Sequence, residues 1–413
     1  MKIVFLSDDF PPESFGGAGI STYDLAFGMK EAGHEVSVIT TCRKESEAGE
    51  SQYNGLHVYK IATEYQGRWR AYRSLYNPSV VRKVDSFLKH TKPDIVHINN
   101  VHFYLSYHCF KIARKYAKVV WTARDVMSFS YGKLETERFL KNFDYRLTWF
   151  DHVRQAGKRW NPLRNIIIRK YVRCAHKLFA VSGALKNALF QNSIRNVEVM
   201  HTGMPLHLWE VTDVEILQFK KKFNLENKKV LLFGGRLDSA KGDTQTLQAM
   251  VSIVKKIPNA VLFVVGKIDG RAQYIKKEAE KFGISDHIVF TDWIREDHMK
   301  YMYAISDVVV VPSICFDAFP RIVLEAMVSK KPVIGTCYGG APEIIVDGVT
   351  GYVVNPFDTH VMAEKVVEIL SDPKKMENFG NAGFERVRTQ FNLKNKIEAL
   401  SSVYKDLVEK NAK

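Results

Sequence analysis

The chain has 413 residues, of which 46% are hydrophobic and 25% are charged, and its formal net charge is +15. This length suits two globular domains rather than one, and five dispersed cysteines without a CxxC pair argue against a disulfide framework or a zinc knuckle. No stretch approaches the roughly 20 apolar residues of a membrane-spanning helix, and the apolar N-terminus is too short for a signal peptide, so we predict a cytoplasmic protein. The basic charge predicts an anionic partner: nucleic acid, a phosphorylated substrate or an anionic membrane surface.

Strand-like and helix-like segments alternate along the whole chain. In the first half we predict strands at 2–7, 36–40, 94–98, 119–122 and 177–181, and a helix at 20–32. In the second half we predict strands at 230–233, 260–265, 288–290, 308–311, 332–336 and 351–354, and a helix at 244–256. This alternation predicts two doubly wound parallel sheets, with a boundary between residues 203 and 213. Because parallel sheets bind ligands beyond the carboxyl ends of their strands, we expect the site in a cleft between the two domains.

A glycine-rich loop follows the first strand and opens a helix. Gly16 and Gly17 would let the backbone approach a phosphate or a sugar, and the helix N-terminus would attract an anion. A tight turn without a ligand is the alternative. A nicotinamide site is disfavoured, because Thr22 stands where a third glycine belongs and the second strand ends in Thr41 rather than an acid. Because Arg43 follows the second strand, a phosphorylated nicotinamide cofactor remains an alternative.

A second loop, after the first strand of the second half, carries two cations between glycines. Gly235 and Arg236 precede Lys241 on this loop. An arginine offers a planar fork for phosphate oxygens and a lysine offers a mobile point charge, so the pair suits a leaving diphosphate. A solvated basic turn is the alternative, and the pairing at a strand end favours anion binding.

A third motif joins two acids across a strand end and the following helix. Asp317 lies in the predicted loop and Glu325 on the helix, whose apolar neighbours predict that it is largely buried. Loop amides near Asp317 would hold a sugar and a phosphate, which predicts donor contacts at Ala318, Phe319 and Arg321, while Glu325 would accept hydrogen bonds from a ribose. Two unrelated surface acids are the alternative.

These motifs, taken in order, resemble the retaining glycosyltransferases of family 4, which have the GT-B fold. The resemblance rests on the glycine-rich loop, Gly-Arg-x-x-x-x-Lys-Gly at 235–242, acid-x7-Glu at 317–325 and Gly-Gly-x-Pro-Glu at 339–343. It implies an α/β protein with two Rossmann-like doubly wound parallel-sheet domains facing across a cleft. Residues 1–205 would bind the acceptor, with a C-terminal helix at about 393–413 packing back onto them, and residues 206–392 would bind the nucleotide sugar.

The resemblance also implies roles for the residues. Arg236, Lys241 and Asp317 would be catalytic, the two cations binding the diphosphate and Asp317 the sugar hydroxyls. Gly16, Gly17, Gly235, Ala318, Phe319, Arg321 and Glu325 would bind the donor, and Arg124 and Asp125 the acceptor. The donor would be a UDP- or GDP-linked sugar, the acceptor a glycan or a lipid-linked molecule, and the reaction would need no metal and no cofactor.

Four positions depart from the family pattern. Asp317 is one methylene shorter than the usual glutamate, and Pro320 replaces a glycine and removes one backbone donor. Arg124 takes the place of a histidine after its strand, and Thr202 stands where an asparagine precedes Gly203. These changes bear on the identity of the sugar more than on the reaction type.

Basic residues are interleaved with aromatic residues in the first half. Residues 131–180 contain twelve Lys or Arg and four acids, and residues 68–73 have the same character. This composition suits an anionic membrane interface, and a solvated basic face is the alternative. The competing functions are a nucleotide-sugar epimerase, a phosphorylase and a non-enzymatic nucleic-acid-binding protein. For the last of these we find no recognisable binding module, so we predict no nucleic-acid partner.

Overall fold

The computed structural model describes residues 1–14, 16–234, 238–266, 270–291 and 294–409. The described residues form two compact units. The first comprises Met1–Gly203 and the C-terminal segment from Leu393, and the second comprises Met204–Asn392.

The first unit is built on an eight-stranded sheet. Its strands are β1 (Lys2–Leu6), β2 (Glu35–Cys42), β3 (Gly49–Tyr53), β4 (Leu56–Ala62), β5 (Ile95–Ile98), β6 (Lys118–Ala123), β7 (Lys177–Ala180) and β8 (Val197–Val199). Its helices are α1 (Gly17–Glu31), α2 (Arg70–Arg73), α3 (Pro78–Thr91), α4 (Cys109–Tyr116), α5 (Glu137–Asn142), α6 (Trp149–Ala156), α7 (Arg164–Val172) and α8 (Gly183–Gln191). The strand order is β3-β4-β2-β1-β5-β6-β7-β8, so the direction of winding reverses between β1 and β5.

One hairpin of this sheet was not predicted. β3 pairs antiparallel with β4, in a sheet whose other pairs are parallel. The connecting residues Asn54 and Gly55 both have positive φ, 47° and 72°, and Asn-Gly favours a tight hairpin turn of this kind. The prediction of an all-parallel sheet is therefore wrong at this edge. The Asn-Gly pair is the local signal that would have found the hairpin.

The second unit is built on a six-stranded parallel sheet. Its strands are β9 (Lys229–Phe233), β10 (Ala260–Val264), β11 (Ile288–Phe290), β12 (Val308–Val311), β13 (Val333–Thr336) and β14 (Gly351–Val354). Its helices are α9 (Asp213–Lys222), α10 (Asp243–Lys256), α11 (Gly270–Lys281), α12 (Met299–Ile305), α13 (Arg321–Val328), α14 (Ala341–Ile344), α15 (Thr359–Leu370) and α16 (Pro373–Gln390). The order β11-β10-β9-β12-β13-β14 places the reversal between β9 and β12. The prediction of two doubly wound α/β sheets is therefore confirmed, apart from the antiparallel pairing of β3 with β4.

The last helix, α17 (Leu393–Glu409), packs in the first unit. Its buried residues Ile397, Leu400 and Tyr404 join the core that contains Phe5 of β1 and Met29 of α1. Burial of these apolar side chains stabilises the helix on the sheet by about 25 cal/mol per Å² of apolar surface removed from water. Among the described residues, no helix is both long enough and apolar enough to cross a bilayer.

A buried histidine links α17 to the sheet, and it predicts a pH dependence of stability. His97 Nδ1 lies 2.5 Å from the Tyr404 hydroxyl, and its Nε2 lies 2.8 Å from Thr122 Oγ1. Burial lowers the pKa of His97 from 6.5 to about 3. The unfolded chain therefore binds a proton at this residue over a pH range where the folded chain does not. Stability should fall as the pH drops from 6.5 towards 3.

We expect this histidine to remove about 3 kcal/mol of stability between about pH 7.5 and about pH 4.5. Urea unfolding at the two pH values would measure the change, and His97→Gln should reduce it. The exposed His90→Gln is the control and should leave the change intact. Equal pH dependence in the His97→Gln protein and the unchanged protein would contradict the assignment.

Candidate active site

Two loops of the second unit meet where the order of its strands reverses. Lys241 lies on the loop after β9 and Asp317 on the loop after β12, and these two strands are neighbours. Lys241 Nζ donates a hydrogen bond to Asp317 Oδ2 at 2.5 Å, and the two side chains are 24% and 20% exposed. The fold thus joins two predicted site residues that lie 76 positions apart. Their place at the carboxyl end of the sheet is where parallel sheets bind ligands.

Two glycines allow these loops to approach each other. Gly242 has φ 78°, and a Cβ there would lie 2.0 Å from the carbonyl oxygen of Pro312. Gly339 has φ 74°, and a Cβ there would lie 2.1 Å from the carbonyl oxygen of Asp317. The Gly340 N–H also donates to that carbonyl at 2.8 Å. A side chain at either glycine would displace a loop that carries a predicted site residue.

Glu325 lies on α13 and is held by two neighbours. Arg321 Nε donates to Glu325 Oε1 at 2.8 Å, and the Tyr303 hydroxyl donates to Oε2 at 2.7 Å. The Arg321 and Glu325 side chains are only 9% and 13% exposed. Burial, together with the Glu325 carboxylate, raises the pKa of Tyr303, which keeps its hydroxyl a neutral donor. Each carboxylate oxygen retains the capacity to accept a further hydrogen bond. No sequence motif indicated Tyr303, which precedes β12 on the buried face of α12.

The remaining predicted donor residues divide into two groups. Ala318 and Phe319 are buried beside Asp317, and the Phe319 ring packs edge-on against Phe391 at 5.7 Å between centroids. A donor contact at Phe319 would therefore use its backbone. Gly235 and Arg236 lie outside the described residues.

In the first unit, Gly16 precedes α1, which begins at Gly17. Gly16 is extended, with φ −173°, and no described atom lies within 4 Å of the position that a Cβ would occupy. At Gly19, by contrast, a Cβ would lie 2.2 Å from Ser14 Oγ. Packing within the protein therefore accounts for glycine at position 19 but not at position 16, where the space is open.

Asp8, directly after β1, organises the neighbouring loop after β5. Its buried carboxylate accepts hydrogen bonds from the backbone N–H groups of Phe103, Tyr104 and Leu105, at 2.7, 2.8 and 2.7 Å. Burial raises the pKa of Asp8, and these three hydrogen bonds and His102 oppose that effect. None of the sequence motifs includes Asp8. The sequence feature that could have indicated Asp8 is the position of an acid directly after the predicted first strand.

The predicted acceptor residues Arg124 and Asp125 follow β6 and contact the same loop. Arg124 Nε donates to Asn99 Oδ1 at 2.9 Å. Asp125 Oδ2 accepts from Asn100 Nδ2 at 3.1 Å and lies 3.4 Å from His102 Nδ1. The two residues are thus fixed at the carboxyl end of the first sheet, beside the loop that Asp8 holds.

A small cavity lies beside Arg124. His201, Thr202 and Lys396 contribute polar groups to its lining. Burial lowers the pKa of the Lys396 ammonium. Lys396 comes from α17, so the sequence offered no signal that it lies near Arg124.

Comparison with known proteins identifies the family. The profile of "Glycosyl transferases group 1" matches residues 215–386, and that of "Glycosyltransferase Family 4" matches residues 15–208. The two matches cover most of the chain and meet close to the boundary between the two units. The chain belongs to glycosyltransferase family 4. It is therefore a transferase, and the predicted membership of this family is confirmed.

Proteins that match this glycosyltransferase over the whole chain agree with the assignment, and the solved structures among them bear on its fold. An uncharacterized glycosyltransferase of Methanocaldococcus jannaschii is 25% identical over 422 residues, which cover 99% of each chain. Sucrose-phosphate synthase from Thermosynechococcus elongatus has a similar structure, with a TM-score of 0.78 at 19% identity and 98% of each chain covered. Anabaena HepE, solved in complex with UDP, has a TM-score of 0.74 at 17% identity, with 98% of this chain and 100% of HepE covered. The GT-B fold of the glycosyltransferase is thus shown.

Proposed function

We propose that this glycosyltransferase moves a sugar from a nucleotide-diphosphate sugar to an acceptor hydroxyl with retention of the anomeric configuration. The observation that carries the proposal is the Lys241–Asp317 ion pair at the strand reversal of the second unit. With a donor bound, the ammonium would turn to the diphosphate and the carboxylate to the sugar hydroxyls. The pair therefore holds both groups in place before the donor arrives.

The proposed chemistry is a front-face substitution. The acceptor oxygen forms a bond to the anomeric carbon on the side from which the diphosphate leaves, as the bond from that carbon to the phosphate oxygen breaks. The departing phosphate oxygen takes the proton of the acceptor. Lys241 stabilises the developing negative charge, and the sequence assigns the same role to Arg236. In this scheme the two cations supply the charge stabilisation without a metal.

For the donor, we propose a UDP- or GDP-linked sugar whose ribose hydrogen-bonds to Glu325. The complex of HepE with UDP supports a nucleotide donor. A thermal-shift screen across UDP-, GDP- and ADP-sugars tests this, because a ligand at 100 times its Kd stabilises the folded state by about 2.7 kcal/mol. We expect one nucleotide class to raise the Tm. A screen without any shift would contradict the proposal.

The stereochemistry and the metal requirement are tested on the product. Proton NMR of the fresh product should show the anomeric coupling of the donor sugar, and an inverted coupling would exclude the front-face scheme. Activity should survive chelation by EDTA. A loss of activity that added magnesium restores would show that a metal is required.

For the acceptor side, we propose association with an anionic membrane and a glycan or lipid-linked acceptor. The basic–aromatic surface comprises Arg68, Trp69, Tyr72, Arg73, Trp149, Phe150, Lys158 and Arg159. Trp149 and Phe150 are 58% and 76% exposed, and Trp69 and Tyr72 are 49% and 50% exposed. Trp160 links the two parts of the surface, because its ring lies 5.7 Å from that of Trp149 and packs against the cluster that contains Ala71. Exposed aromatic rings beside cations suit a membrane interface.

We expect Phe150→Ser to weaken binding to vesicles that contain phosphatidylglycerol by about tenfold to a hundredfold, because an inserted aromatic side chain contributes roughly 1.5–3 kcal/mol. Vesicle sedimentation at low salt measures the effect. Phe190→Ser is the matched control, since Phe190 is 60% exposed outside this surface. No binding of the unchanged protein, or equal losses in both variants, would remove the membrane proposal.

A further inference from the structure

Two arginines of the first unit lie on adjacent aromatic rings at the carboxyl end of its sheet. The Arg43 guanidinium carbon lies 3.2 Å from the centre of the Tyr104 ring, and that of Arg70 lies 4.4 Å from the centre of the Phe103 ring. The two rings are themselves 4.3 Å apart. Arg43 follows β2, Arg70 follows β4 and the rings follow β5, so three loops bring two positive charges together.

The platform beneath these arginines is rigid. The three hydrogen bonds to the buried Asp8 carboxylate fix the backbone of both ring residues. Asn77 Nδ2 donates to the Tyr104 carbonyl at 3.0 Å and to Thr63 Oγ1 at 3.0 Å. A ligand would therefore meet groups that are already in place, and this lowers the entropic cost of binding.

The two arginines of this platform form no direct ion pair with another described residue. In the described part of the chain, neither Arg43 nor Arg70 has a carboxylate within ion-pair distance. Arg43 donates to the Thr63 carbonyl at 2.8 Å and to Thr41 Oγ1 at 3.4 Å, and its remaining N–H groups are available. Guanidinium groups stacked on rings keep their planar edges free for an anion.

A tyrosine adds a neutral donor to the cluster. The Tyr65 ring lies 5.3 Å from that of Tyr104 and 6.2 Å from that of Phe103. Its hydroxyl oxygen is buried and has no hydrogen-bond partner among the residues that the structure describes. Burial raises the pKa of Tyr65, so the hydroxyl keeps its proton. A buried hydroxyl without a partner is rare and calls for a ligand or a water.

We propose that Arg43, Arg70 and Tyr65 bind a phosphate group of the acceptor substrate. The inference rests on the proposed function, because it assigns a chemical class to the acceptor of the same transfer. Two forked cations and one hydroxyl match the charge and the three free oxygens of a phosphomonoester better than the two oxygens of a carboxylate. The cluster lies beside the reversal between β1 and β5, where doubly wound sheets bind ligands.

Titration calorimetry with inorganic phosphate tests the subsite. We expect the double variant Arg43→Gln/Arg70→Gln to bind phosphate at least tenfold more weakly than the unchanged protein. Arg82→Gln is the matched control, because Arg82 is an exposed arginine of α3 outside the cluster and outside the basic–aromatic surface, and this variant should bind phosphate normally. Unchanged phosphate affinity in the double variant would overturn the proposal.

Tyr65→Phe is a second variant that should fold normally, because it removes only a hydroxyl that has no partner among the described residues. We expect an unchanged or higher Tm and about tenfold weaker phosphate binding, the effect of one hydrogen bond to a charged group. Normal phosphate binding in this variant would exclude Tyr65 from the subsite. The nucleotide-sugar thermal shift should persist in all these variants, so a failure of the donor proposal would be seen separately.

The phosphate could belong to a soluble molecule or to a lipid, and two further arms distinguish these sources. Glucose 6-phosphate serves as the soluble monoester, and vesicles with phosphatidic acid serve as the lipid monoester, with phosphatidylcholine vesicles as background. A loss confined to glucose 6-phosphate in the double variant would assign a soluble acceptor. A loss confined to phosphatidic acid vesicles would assign a lipid acceptor, and no loss in either arm would overturn the subsite.

Discussion

Replacement of Lys241 by alanine is expected to lower turnover about a hundredfold or more, because the developing charge on the leaving diphosphate would lose a preorganised cation. The fold should survive, since the side chain is 24% exposed and its partner Asp317 is 20% exposed. The measurement is kcat and KM with the donor that the thermal-shift screen identifies. A transition-state role predicts that kcat falls more than KM rises.

Two further variants make this result specific. Lys255→Ala removes an exposed lysine from the end of α10 and should leave turnover unchanged. Asp317→Asn keeps the size and the hydrogen-bonding capacity of the side chain but removes its charge, and we expect it to raise KM for the donor. Normal turnover in the Lys241→Ala protein would refute the proposed chemistry.

Replacement of Glu325 by alanine is expected to destabilise the second unit by about 3 kcal/mol, because it removes a carboxylate that is paired with the buried guanidinium of Arg321. Arg321 is only 9% exposed, so water cannot replace the lost partner well. Tyr303→Phe removes one of the two hydrogen bonds to Glu325 and should cost about 1 kcal/mol. Urea unfolding followed by a signal from the second unit measures both losses.

Nucleotide affinity separates the two proposed roles of Glu325. A ribose contact predicts that Glu325→Gln binds the donor nucleotide more weakly even where its stability is close to that of the unchanged protein. For the loss of stability, Glu364→Ala is the control. Glu364 is 51% exposed on α15, and within the described residues its only ion pair is with His360. An equal loss of unfolding free energy in Glu364→Ala and Glu325→Ala would show that the buried ion pair stabilises the protein no more than an exposed one.

Strands flanked by polar residues were predictable from local pattern. The predictions at 288–290, 308–311 and 351–354 match β11, β12 and β14, because each is a short run of strand-forming residues with clear ends. The helix predicted from residue 20 begins instead at Gly17. Glycines weaken the helical pattern, but the first turn of α1 lies so close to the preceding loop that a Cβ at Gly19 would be 2.2 Å from Ser14 Oγ.

Long-range pairs were not predictable in the same way. Strand order decides which loops become neighbours, and an order such as β11-β10-β9-β12-β13-β14 results from the packing of the whole unit. The contact between Lys241 and Asp317 depends on that order, and the Arg43–Arg70 cluster depends on the strand order of the first unit. The Arg321–Glu325 pair is local to α13, and its contact with Tyr303 depends on the packing of α12 against α13. The basic–aromatic surface likewise joins two stretches that appeared separate in the chain.

The amino-acid sequence by itself determined the α/β class, the two-part organisation and the loops that carry the family motifs, because hydrophobic period, glycine placement and motif spacing are local properties. Only the tertiary structure decided which charged groups meet and which stay without a partner. The reason is that an ion pair or an unbalanced cation depends on distances between loops, and the order of strands in the sheet sets those distances.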